Sequence, residues 1–170
     1  MNNLAFIDGQ NLHLGISEIG WRVDFKKLRI YLKEKYNVTE AYYFLGYISE
    51  KEQDLYNNLQ KAGFIIIFKS HNQELQAKKK GNVDTDIVFE IMRNIIDNPL
   101  FDKIILISGD GDYRKVVDYL IKKDKFGKIL FPNKKFASSL YKGLGGERFD
   151  YLSNVREYIE YKKETKEKGS

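Results

Sequence analysis

The chain contains no cysteine and only two histidines, His13 and His71. The first absence excludes disulfides, thiolate zinc sites, iron–sulfur ligation and a cysteine nucleophile. The second excludes a three-histidine metal site within one chain. Long apolar runs are missing too, since none approaches the ~18 residues of a membrane-spanning helix. The opening residues, MNNLAFIDGQN, hold no basic segment followed by a long apolar stretch. A soluble, cytoplasmic protein with no membrane partner is therefore expected. What is present is a chain of 170 residues, 42% hydrophobic and 14% aromatic. That can support one well-packed domain but hardly two. Lys and Arg number 29 against 24 Asp and Glu, a net charge of +5. Such mild basicity permits a polyanionic partner without requiring one.

Short apolar runs alternate with helical spacing along the chain. Leu4–Asp8, Thr39–Ile48, Phe64–Phe68, Lys103–Ile107 and Lys128–Phe131 read as strands, with FIIIF (64–68) the clearest buried one. Val23–Tyr36, Lys51–Ala62, Asp84–Ile96 and Tyr113–Lys123 read as helices, and Ala137–Leu144 and Val155–Tyr161 as further ones. This rhythm implies a mainly parallel sheet covered on both faces, an α/β sandwich. Residues 1–160 form the expected domain, and the charge-dense residues 161–170 are expected to fray.

Three segments place carboxylates at the ends of apolar elements. IDGQN puts Asp8 at the end of the first strand with Asn11 in the following turn. KGNVDTD opens a helix with Asp84 and Asp86 after the basic loop Lys78, Lys79 and Lys80. ISGDGDY sets Asp110 and Asp112 just past the strand ending at Ile107. With parallel strands the first and third segments share the sheet's carboxyl edge, and the helix opening at Asp84 can reach it. Four or five carboxylates would then meet in one pocket. Crowded acids repel and resist ionisation; a hard divalent cation such as Mg²⁺ or Mn²⁺ relieves this. An acid-held cation suits phosphate chemistry, and the lysine loop would draw a phosphate backbone toward it. Each piece also has a plain structural role: Asp84 as a helix N-cap, Asp86 as a first-turn acid, and the two Asp-Gly pairs as turn chemistry.

In that order and on those elements, the three motifs closely resemble the NYN domains of the PIN-like nuclease superfamily, in particular the LabA-like (DUF88) branch. The likeness spans roughly Leu4 to Leu152, including KILFP as a closing strand, the serine pair of KKFASSLYKGL, and FDYL among the last helical elements. It implies a three-layer, Rossmann-like α/β/α domain that cuts RNA, expected to be single-stranded, with Mg²⁺ or Mn²⁺. Carried over by position, Asp8, Asp84, Asp110 and Asp112 become catalytic, metal-holding acids, with Asp86 as a further ligand. Asn11, Ser108 and Lys80 become substrate-contacting or ligand-orienting groups, Lys80 through phosphate. Tyr113 stands where Phe is commoner.

Most of the 12 Tyr and 11 Phe residues fall in strands or helical stripes and read as core. Tyr113, beside Asp112, is the one expected to offer a base-stacking platform. His13 lies near the first motif and His71 in a loop, whereas Trp21 and Tyr141 carry no signal of their own. A metal-dependent ribonuclease is the leading expectation, and a non-catalytic RNA-binding module acting through a partner is the alternative. Other phosphate enzymes fit less well: Gln10 occupies the place of an aspartyl phosphatase's second acid, and no P-loop or G-x-S-x-G is present. A homodimer remains open.

Overall fold

The computed structural model describes residues 1–69 and 83–164. His71, the lysines 78, 79 and 80, and residues 165–170 lie outside the described residues. Six strands form one sheet: β1 (Asn3–Asp8), β2 (Val38–Leu45), β3 (Ile65–Phe68), β4 (Ile104–Ile107), β5 (Phe126–Phe131) and β6 (Phe149–Tyr151). Their order is β3-β2-β1-β4-β5-β6, and every neighbouring pair is parallel. The chain steps outward from β1 to β3, then returns to the other flank of β1 as β4. That reversal parts the connections between β1 and β4, and doubly wound folds bind ligands at the carboxyl ends beside such a point.

Alternation of side chains along the strands creates two cores. Ala5 and Ile7 face one layer with α1 (Gly9–Glu18), α2 (Phe25–Tyr36) and α3 (Gln53–Ala62). Leu4 and Phe6 face the other, with α4 (Asp84–Asp97) and α5 (Arg114–Lys122). The result is a three-layer α/β/α sandwich. Helix boundaries follow local chemistry. Asp24 caps α2 by accepting the Lys27 amide at 3.0 Å, and Asn37 ends it in the left-handed region at φ 53°. Leu28, Leu32 and Tyr36 recur every four residues on its buried face. Truncating either leucine to alanine costs about 2–5 kcal/mol in such an environment.

Four expectations need correction. Strand β3 is an edge strand with Ile65 44% exposed, so FIIIF is not fully buried. Two 3-10 turns, Lys134–Phe136 and Ser139–Tyr141, replace the helix expected over 137–144. There Asn133 and Ser138 bind nearby amides, a local alternative to helical pairing. FDYL supplies β6, so the sheet closes one strand beyond KILFP. The final helix shortens to a single turn, Arg156–Ile159, because Glu160 is extended and bridges to Val23.

Candidate metal centre

Asp8 sits where β1 becomes α1. Its carboxylate accepts the Asn11 amide at 3.1 Å and so caps the helix. Gly9 permits this tight entry, because a Cβ there would lie 2.6 Å from the Phe44 carbonyl oxygen. Asp110 plays the matching part beyond β4, accepting the Asp112 amide at 2.9 Å at the head of the 3-10 turn Gly111–Tyr113. Asp84 is the first residue of α4 and not its cap, which is Val83 without a side-chain bond. The helix's positive end favours a carboxylate there.

Long-range hydrogen bonds hold these pieces in place. The Gly109 amide donates to Asn11 Oδ1 at 2.8 Å, fastening α1 to the loop that carries Asp110. Ser108, fully buried, accepts the Asp110 amide at 3.1 Å. The Tyr141 hydroxyl donates to the Asp110 carbonyl. The Tyr113 hydroxyl lies 2.8 Å from Asp84 Oδ1 and 3.1 Å from Asp8 Oδ2, so its single proton is shared between the two carboxylates.

Carboxylate oxygens of Asp8, Asp84 and Asp110 thereby all lie within 4.8 Å of one another. Asp8 is only 4% exposed. Burial pushes its carboxyl up from an aspartate's ordinary range, and the charge of Asp110 adds to the rise. The Asn11 amide and the Tyr113 hydroxyl pull the other way. Burial, reinforced by the charges of Asp8 and Asp84, pushes the Tyr113 phenol far up, so it remains a protonated donor. Among the described residues no ion pair includes Asp8 or Asp110. Three close hard-oxygen donors fit a divalent ion such as Mg²⁺ or Mn²⁺.

Of the five acids expected in one pocket, Asp8, Asp84 and Asp110 form one mutually close group. Asp112 is exposed and Asp86 half-buried, and neither joins the mutually close group. Tyr113 cannot stack on a base, because its ring is 0% exposed and packs in the core. Lys80 lies outside the described residues. Tyr141, silent as sequence, holds the Asp110 backbone. Only its place near the serine pair, on a segment that returns to the site, could have signalled this.

The NYN domain family model matches residues 4–143, most of the chain. The chain belongs to the NYN domain family. NYN domains belong to the PIN-like superfamily, and the three-layer α/β/α sandwich agrees with that membership. This NYN domain is 24% identical over 164 residues to the low amplitude and bright protein LabA of Synechococcus elongatus, a match covering 91% of this chain and 86% of that protein. It also superimposes on the crystal structure of a Vibrio parahaemolyticus protein of unknown function. The TM-score is 0.76 at 18% identity, with 93% of this chain and 95% of that one covered. At that identity the likeness speaks for the fold alone. No helix among the described residues of this NYN domain is long and apolar enough to cross a membrane.

Proposed function

We propose that this NYN domain is a ribonuclease that hydrolyses RNA phosphodiester bonds with Mg²⁺ or Mn²⁺. The observation that carries the reading is the mutual approach of Asp8, Asp84 and Asp110 from three separate elements, at the strand ends flanking the sheet's reversal point. Membership of a nuclease family supports it. Asp8, Asp84 and Asp110 would hold the ion; Asp112 and Asp86 stand nearby on the same turns as further acids. When bound, a divalent ion makes water more acidic and offsets charge on the phosphate under attack.

The remaining groups position the acids. Asn11 fixes the Asp110 loop, Ser108 fixes the Asp110 amide, and Tyr113 shares its one hydroxyl proton between the Asp84 and Asp8 carboxylates. Lys80 is assigned a phosphate contact. Single-stranded RNA in the cytoplasm is the proposed setting, with products carrying 5′-phosphate and 3′-hydroxyl ends. Incubating the purified chain with labelled RNA and DNA, with Mn²⁺ or with EDTA, tests the proposal. EDTA should abolish cleavage and Asp110→Asn should slow it by at least ~100-fold. Undiminished cleavage by Asp110→Asn would refute the assignment.

A further inference from the structure

A second feature lies on the face of the sheet that carries α1, α2 and α3. A cavity of about 440 Å³ opens between α1, the Trp21–Phe25 segment and the start of α3. Trp21, Phe25 and Tyr43 contribute aromatic walls, and His13, Arg22 and Asp54 also line it. Tyr43 and Trp21 are 3% and 4% exposed. Their rings are held in place: Phe25 meets Tyr43 edge-on at 5.6 Å, and the Arg156 guanidinium lies 5.6 Å from the Trp21 ring centre. The Trp21 indole N–H has no hydrogen-bond partner among the described residues. No hydrogen bond among the described residues involves the Tyr43 hydroxyl, whose acidity is weakened by burial and by the nearby charge of Asp8. A buried donor such as the Trp21 N–H is seldom left this way, and Trp21 and Tyr43 both belong to walls of one cavity. Tyr43 pairs in register with Ile7, one residue before Asp8, so this wall of the cavity lies toward the same end of the sheet as Asp8.

We propose that this cavity binds a nucleobase. A flat ring with in-plane acceptors matches aromatic walls that carry two unmatched donors. An aliphatic guest would leave both donors unmet, and a bare anion would make no use of three rings. Asp54 offers an acceptor for an exocyclic amino group. Exposed Arg22 and His13 suit the phosphate attached to such a base. The base arrives either on a free mononucleotide or as one unit of an RNA strand whose backbone passes the acids. Only the second source rests on the ribonuclease reading.

Trp21 is the only tryptophan, so its emission reports directly on the cavity. The full chain is titrated in EDTA with each of the four ribonucleoside monophosphates and with a mixed-sequence, single-stranded oligoribonucleotide. The expected result is a saturable change in Trp21 emission with at least one of these probes. Tyr43→Phe, which keeps the ring, should weaken binding by ~10-fold, the effect of one hydrogen bond at the strong end of the usual range. Arg22→Ala, at an exposed position, should weaken binding of the monophosphates. Response to mononucleotides assigns a free-nucleotide site, and response to the oligonucleotide alone assigns a strand subsite. No emission change with any probe, or equal affinity in wild type and Tyr43→Phe, overturns the proposal. Because EDTA removes any need for turnover, binding that persists in a chain unable to cut RNA separates this proposal from the ribonuclease reading.

Discussion

The Tyr113 hydroxyl lies 2.8 Å from Asp84 Oδ1 and 3.1 Å from Asp8 Oδ2, joining the first turn of α4 to the end of β1. A phenol held this firmly in its protonated form offsets part of the repulsion between the two acids. Tyr113→Phe should therefore lower stability in EDTA by about 1.5–3 kcal/mol, the range for losing a hydrogen bond to a charged group. Mn²⁺ should recover part of that loss by supplying the missing positive partner. Urea unfolding with and without Mn²⁺ measures both quantities. A loss of equal size in the two conditions would mean that the hydroxyl serves core packing alone.

Asp8 links stability to pH in the metal-free protein. Burial raises its folded-state value above that of the unfolded chain, so the folded protein holds the proton more tightly. The Asp8 contribution is then fully present below an unfolded aspartate's ~3.9 and is lost as pH rises through the raised folded value. Asp8→Asn abolishes that loss, and asparagine remains a good N-cap for α1. In EDTA at neutral pH the variant should be more stable than wild type, with the gap closing as pH falls toward ~4. A variant less stable than wild type at neutral pH contradicts this.

Gly109 is required by a close approach of backbone. A Cβ at that position would lie 1.6 Å from the Phe136 carbonyl oxygen, while one at Gly146 would meet nothing within 4 Å. Relieving the Gly109 clash would push the Asp110 loop away from Asn11. Gly109→Ala should destabilise by ~1–3 kcal/mol or more, in line with overpacking elsewhere. Gly146→Ala should be close to neutral. Thermal melts of the two variants side by side provide the check.

Much of this arrangement can be read from residue order. The short apolar runs around Phe6, Tyr43 and Leu106 mark central strands because both faces of each are buried, and the three acidic motifs fall at element ends where turn chemistry is plain. Strand β6 is not legible: three half-buried residues containing Asp150 carry too little apolar pattern. Residues 137–144 space their apolar side chains helically, yet side-chain caps at Asn133 and Ser138 divert the backbone into 3-10 turns. The role of Tyr113 depends on the turn begun by Asp110, which buries the ring and brings the hydroxyl to two acids remote in sequence. A tyrosine beside an exposed aspartate gives no local sign of that. Trp21 and Tyr43 likewise line one cavity only because α1, α3 and β2 converge.

The most direct measurement is anomalous diffraction from crystals grown with Mn²⁺, for the wild type and for Asp110→Asn. The account predicts a manganese peak shared by the carboxylates of Asp8, Asp84 and Asp110, and its loss or marked weakening in the variant. Manganese bound only at other surfaces, or an undiminished peak in Asp110→Asn, would contradict it.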